Sequence, residues 1–323
     1  LTDTARANRA GRRGARPTPT DDRLLQPRFL HPRFWGVWLQ LGLLRGVVAL
    51  PQGARMAVGA AIGEIAWHLA RERRQLALRN LELSFPELSS ERRQTIAREN
   101  FRLMGIGVVE TAMGWWLPME RIAELFEVHG QEHLEAARDS GRGVLLLTCH
   151  MLGLELSGAR VRQVTPFKAL YREDRNPLVA TLIRRNRRRR IEDVISNQDM
   201  RGMIRALKAG DIIWYAPDEN IAPRRGGIFA PFFGIQAATT PATARLAERT
   251  GCIVLPYYPQ RMAGGRYRLV FEAPLEDFPS GDLDADTARI NRLIERWIRQ
   301  QPEQYFWVRK RFKSRPEGEP PRY

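Results

Sequence analysis

The 323-residue chain is poor in cysteine, histidine and lysine. Two cysteines, Cys149 and Cys252, exclude a disulfide-stapled scaffold and any zinc site built mainly of thiolates. Five histidines leave few candidates for base catalysis: His31, His68, His129, His133 and His150. His129 and His133 stand four apart beside Glu127 and Glu132, but no third ligand converges on them, so no metal is expected. There is no P-loop and no well-placed G-x-G-x-x-G, which removes the commonest phosphate cradles. No internal repeat indicates a solenoid. The mean hydropathy of −0.40 excludes a polytopic membrane protein.

What is abundant is positive charge. Fifty-two Lys and Arg against 36 Asp and Glu give a formal charge of +16. Lysine is confined to Lys168, Lys208, Lys310 and Lys313, and the remainder is arginine, which forms bidentate contacts to phosphate. Such a field attracts polyanions: nucleic acid, anionic lipid headgroups, phosphorylated ligands or an acidic carrier protein. The length and the 43% hydrophobic content allow a sizeable core in one large or two ordinary domains.

Residues 1–33 carry eight Arg against three Asp and read as a disordered basic arm. Residues 34–50 are the most apolar stretch, opened by Trp35 and Trp38 and interrupted by Gln40 and Arg45. The stretch is short of the roughly 20 residues a span needs. A marginal span, a helix lying in the membrane interface and a core helix all stand as readings, with membrane contact favoured by the flanking Arg. The remainder, 51–323, reads as one catalytic-size domain, helical over 51–140 and α/β over 141–323. Helical spacing covers 54–80, and Ser90 opens a second helix that stops before Pro118. From Gly143 the period changes. Apolar runs at 143–149, 167–171, 211–215, 252–258 and 267–271 alternate with helical patterns, including Ile290, Leu293, Ile294, Trp297 and Ile298. This alternation predicts an α/β fold with a mostly parallel central sheet flanked by helices.

Chemistry concentrates where the first apolar run meets Thr148-Cys149-His150-Met-Leu-Gly-Leu-Glu155. On one continuous helix His150 and Glu155 would stand about 140° apart. With His150 at a strand end and Glu155 in the next helix, the turn brings them together, and Glu155 holds the imidazole while His150 takes a proton from an alcohol. A histidine that merely caps a helix is the alternative. Cys149 points to the opposite face from its neighbour and reads as a small core residue. Six Arg in Arg184–Arg190 form either a solvated face or an anion contact. Asp218 and Glu219 follow a strand, and 224–234 reads as a shaped, partly apolar loop. Pro256 and Pro259 are unusual inside a strand.

Taken together, His150-x4-Glu155, Tyr171-Arg-Glu-Asp-Arg-Asn-Pro177, Trp214-Tyr-Ala-Pro-Asp218, Ala238-Thr-Thr-Pro241, Leu255-Pro256 and the tail Pro302–Pro316 resemble the late acyltransferases of lipid A biosynthesis. These belong to the glycerolipid and lysophospholipid acyltransferase superfamily. The likeness covers most of the chain from about residue 30. Glu155 stands where the wider superfamily has Asp, as is common in the lipid A branch, whereas Asp218-Glu-Asn departs from the Asp-His of several relatives. The resemblance implies transfer of a fatty acyl group from acyl carrier protein to a hydroxyl on a 3-hydroxyacyl chain of a phosphorylated lipid A precursor. It implies His150 as base, Glu155 as its support, Arg172 as an oxyanion candidate, and Arg187 and Arg189 as grips for phosphate or sugar carboxylate. Asn176 and Asp218 are implied site residues, with no cofactor. It places the protein at the inner membrane of a Gram-negative bacterium, with its catalytic domain on the cytoplasmic face beside the carrier-bound donor. A single span would then put the Arg-rich arm outside, against the positive-inside tendency, so a shallow anchor fits 34–50 better. A lysophospholipid acyltransferase and a basic nucleic-acid-binding protein are the competing readings.

Overall fold

The computed structural model describes residues 23–171, 176–190, 193–196 and 199–323, with the side chains of 171, 187–190, 193, 194 and 196 outside that description. The N-terminal part is helical: α1 (Trp35–Val48), α2 (Gln52–Leu69), α3 (Arg71–Ser84), α4 (Ser90–Trp116) and the short α5 (Met119–Ala123). The pattern over 54–80 is two helices, because the backbone breaks at Ala70 (φ −90, ψ 61). The cap of α4 is Ser89, one residue before the expected position, its side chain accepting from Arg92 N–H at 3.2 Å. α2 and α4 pack backbone to backbone: a Cβ on Gly63 would lie 2.2 Å from the Phe101 carbonyl oxygen, and one on Gly105 2.2 Å from that of Gly59.

Residues 23–33, read from sequence as part of a disordered arm, are ordered. They include two 3-10 turns, and Phe29 and Phe34 are buried with Leu178. Aromatic burial outweighs the polar composition there. No helix among the described residues is long and apolar enough to cross a membrane.

The second part alternates: β1 (Phe126–His129), α6 (Gln131–Asp139), β2 (Val144–Leu147), α7 (Leu154–Val164), β3 (Lys168–Tyr171), α8 (Pro177–Arg190), β4 (Asp193–Ser196), α9 (Met200–Lys208) and β5 (Ile212–Tyr215). A hairpin follows, β6 (Ile228–Phe232) and β7 (Ile235–Thr239), then α10 (Ala242–Thr250), β8 (Ile253–Arg261), β9 (Tyr267–Phe271) and α11 (Leu283–Gln300). Among the described residues the main sheet has seven strands in the order β1-β9-β8-β2-β5-β3-β4. It is parallel except for the β8–β9 pair. Helices cover both faces, so β2 is a fully buried apolar run. Leu145 and Leu147 face one core, with Trp297 and Phe232. Val144 and Leu146 face the other, with Met113 and Leu156.

β8 changes partner midway. Ile253–Pro256 pair with β2, and Tyr257–Arg261 pair with β9. Pro256 sits at the changeover and Pro259 in the half that β2 no longer flanks, where a missing N–H costs no ladder bond. The stretch 224–234, expected to be a loop, is largely hairpin: β6 pairs antiparallel with β7. Its two-residue connection Phe233-Gly234 has positive φ at both positions (51° and 73°), as the twist of a tight hairpin requires.

Candidate active site

β2 and β5 are adjacent parallel strands, so their C-terminal ends open on the same edge of the sheet. Thr148 N–H still bonds the Tyr215 carbonyl at 2.9 Å, after which the two chains part. His150 and Asp218 each stand three residues past a strand end, and there they meet. The ring Nδ1 lies 2.7 Å from Asp218 Oδ1, and the His150 backbone N–H donates to Oδ2 at 3.1 Å. Asp218 is buried, while the His150 side chain remains about a quarter exposed (24%). Burial pushes the Asp218 carboxyl up. The charge, ring and backbone N–H of His150 and the Tyr305 hydroxyl outweigh it and lower it to about 2. An ionised carboxylate accepts only, so Nδ1 carries a proton, and in the neutral ring Nε2 is the nitrogen that keeps its lone pair.

Nε2 faces a cavity of about 480 Å³ bounded by the loop 218–225 and the tail 305–314. Glu219 Oε1 is 3.8 Å from Nε2, and Glu219 also pairs with Arg309. The tail is strapped across the site by backbone bonds: Phe306 N–H to the His150 carbonyl at 3.1 Å, and Leu152 N–H to that of Gln304 at 2.7 Å. Two buried asparagines hold it from behind. Asn100 Nδ2 donates to the carbonyls of Glu303 and Tyr305, and Asn80 Nδ2 to those of Trp307 and Arg309. Cys149 is fully buried, and burial together with Asp218 pushes its thiol well up, so it is inert as a nucleophile. An oriented imidazole with one free nitrogen, opening on a basic cavity, is equipped to deprotonate a hydroxyl on an anionic substrate.

The sequence profile of the bacterial lipid A biosynthesis acyltransferases matches residues 24–314. The chain is 40% identical over 296 residues to the lipid A biosynthesis lauroyltransferase of Escherichia coli (strain K12), covering 91% of this chain and 96% of that one. It belongs to the lipid A biosynthesis acyltransferase family. The palmitoleoyltransferase of the same strain is 38% identical over 293 residues, covering 90% and 95%. Among solved structures, the 1-acyl-sn-glycerophosphate acyltransferase from Thermotoga maritima superposes with a TM-score of 0.35 at 16% identity, over 71% of this chain and 96% of that one.

In this acyltransferase the partner of His150 differs from the sequence expectation. Nδ1 is taken by Asp218, not by Glu155, which lies in the first turn of α7. Asn176, expected to bind substrate, caps α8: its Oδ1 accepts from Leu178 N–H at 3.0 Å and Val179 N–H at 3.4 Å. Arg172 and the side chains of Arg187 and Arg189 lie outside the described residues. Tyr305 and Arg311, both buried at the site, were not singled out from the sequence.

A buried polar cluster supports the turn after His150. Arg261 binds Glu110 through two bonds, 2.9 and 2.5 Å, and the Tyr267 hydroxyl donates to the same carboxylate at 2.6 Å. Gly153, at the N-cap of α7 with φ of 87°, passes so close that a Cβ would stand 2.9 Å from Glu110 Oε2. The carboxylate is held by its partners and cannot give way. Gly153→Ala is therefore expected to cost about 1–2 kcal/mol from the left-handed backbone alone, read as a lower denaturation midpoint at unchanged slope.

Proposed function

We propose that this acyltransferase moves a fatty acyl group from an acyl carrier protein thioester to the hydroxyl of a 3-hydroxyacyl chain on a phosphorylated lipid A precursor. The observation that carries the reading is the His150–Asp218 bond, which leaves Nε2 as an acceptor open to the cavity. His150 Nε2 takes the hydroxyl proton as the oxygen attacks the thioester carbon. The C–O bond forms, the C–S bond breaks, and the departing sulfur recovers the proton from the imidazolium. Asp218, and Glu219 at 3.8 Å, stabilise the imidazolium in between. The donor is already activated, so no acyl-enzyme is required.

The reaction belongs at the cytoplasmic face of the inner membrane of a Gram-negative bacterium, where an acidic carrier protein and an anionic lipid surface both suit a chain of +16. α1, at 1.5 Å per residue, is about 21 Å long, short of the roughly 30 Å hydrocarbon core. Trp35, Leu39 and Leu43 recur every four residues along it and are all more than 60% exposed. This apolar row supports a helix that lies in the interface.

The test is acyl transfer in detergent micelles, with carrier-protein thioesters of several chain lengths and a tetra-acylated lipid A precursor. Mass spectrometry is expected to show one added acyl chain per precursor. Acylation of a lysophospholipid with none of the precursor would overturn the acceptor assignment, and the preferred donor length is read from the same spectra.

A further inference from the structure

We propose that the turn Pro223–Arg225 and the tail 310–313 form a subsite for a phosphate ester of the acceptor, with Arg224, Arg225, Lys310 and Lys313 as its rim and Arg311 at its floor. The proposal deepens the functional reading above and rests on it.

All five cations line the cavity onto which His150 opens. The two segments are clamped together by a pair of residues 94 apart in sequence. Asn220 Nδ2 donates to Ser314 Oγ at 3.1 Å, and Ser314 N–H donates back to Asn220 Oδ1 at 3.0 Å. The carboxylates of the same wall are engaged elsewhere, Asp218 with His150 and Glu219 with Arg309. Among the described residues, none of the five proposed cations makes an ion pair. Like charges gathered round a concavity repel one another, and only a bound anion turns that arrangement into a stabilising one.

Arg311 is the strongest sign of a built site. It is buried, its guanidinium donates to the Ala238 carbonyl at 2.9 Å and to Thr239 Oγ1 at 2.7 Å, and its face lies 4.7 Å over the Phe232 ring. Its Nε is buried without an acceptor. A buried guanidinium whose hydrogen bonds go only to neutral oxygens is costly for the fold, and an anion in the cavity adds countercharge. The number of cations exceeds what one carboxylate balances. A phosphate monoester carries nearly two charges and presents three oxygens to forked donors. The ester is assigned to the acceptor because Nε2, which must meet the acceptor hydroxyl, opens on the same cavity.

Two double variants, Arg224→Ala/Arg225→Ala and Lys310→Ala/Lys313→Ala, change only exposed side chains. Thermal unfolding at the wild-type midpoint certifies their fold. Each is assayed on a bisphosphorylated, tetra-acylated precursor and on the same lipid stripped of phosphate. With the phosphorylated acceptor, KM is expected to rise about 10- to 100-fold, with donor KM unchanged and a shallower salt dependence. On the dephosphorylated acceptor the wild type is expected to fall to the level of the variants, closing the gap. An acceptor KM within twofold of wild type, a gap that persists without phosphate, or a rise in donor KM instead would each overturn the subsite. Wild-type protein that acylates no lipid A precursor sinks the functional reading, whereas an active wild type with unaffected variants sinks only the subsite.

Discussion

Asp218→Asn is expected to lower kcat by about 10³- to 10⁴-fold while acceptor KM stays within a few fold of wild type. The side-chain volume is retained, so the loss is one of proton placement. In the wild type both carboxylate oxygens bind His150, one the ring Nδ1 and the other the backbone N–H. An amide placed against Nδ1 donates from its nitrogen, which puts the ring proton on Nε2 and removes the lone pair that takes the acceptor proton. The ring is then neutral but in the wrong tautomer, so raising the pH does not rescue it. His150→Ala is expected to lose a similar amount, and the double variant no more than either, because the two residues act as one unit. Additive losses would mean that Asp218 acts on something other than the imidazole. The same pair predicts a stability effect. The folded Asp218 carboxyl, at about 2, lies below its ordinary value of 3.8. Its contribution is therefore complete above pH 4 and is lost as the pH falls towards 2. The difference in unfolding free energy between wild type and Asp218→Asn should narrow over that interval.

The strand-end position of His150 was legible in the sequence and its bonded partner was not, for a topological reason. β2 and β5 each read as apolar runs of strand length, and His150 and Asp218 each stood just past one. Sequence spacing ranks neighbours by separation, so Glu155, five residues away, drew the supporting role ahead of Asp218, 68 residues away. What decides the matter is that β2 and β5 lie side by side, and strand order is fixed by long-range packing rather than by any local pattern. Tyr305, Arg311 and the Glu110–Arg261–Tyr267 cluster escaped for the same reason, since their partners lie far along the chain. The hairpin at 228–239 escaped because Gly and Pro among aromatics read as loop. The usable signal was local, in two apolar segments separated by Phe233-Gly234. The α/β layering, the strand-end position of His150 and the face of α11 were readable because periodicity and continuous apolar runs report burial directly.

Glu110→Gln is expected to be the most destabilising single substitution outside the reaction centre. Glu110 is fully buried in α4, and its partners come from the end of β8 and the start of β9. Burial alone would pull the Arg261 guanidinium down, and Glu110 more than offsets it. Neutralising the carboxylate leaves a buried cation without countercharge, a loss of about 3–5 kcal/mol for a broken buried pair. In a chain of this size that corresponds to roughly 4–7 °C in Tm. Removing both charges is expected to behave differently. Glu110→Leu/Arg261→Met takes away the desolvation cost along with the attraction and should recover most of the lost stability. A double variant no more stable than Glu110→Gln would show that the bonds to Tyr267, not the opposed charges, hold α4 to the sheet. Turnover separates stability from positioning. The link from Arg261 to the turn after His150 runs through its backbone N–H and Gln304: Arg261 N–H donates to Gln304 Oε1 at 3.0 Å, and Leu152 N–H donates to the Gln304 carbonyl at 2.7 Å. Those bonds survive the loss of the guanidinium. The double variant is therefore expected to keep kcat within about tenfold of wild type. A restored Tm with kcat still down by more than a hundredfold would instead make the Glu110–Arg261 pair a positioning device for Gly153 and His150.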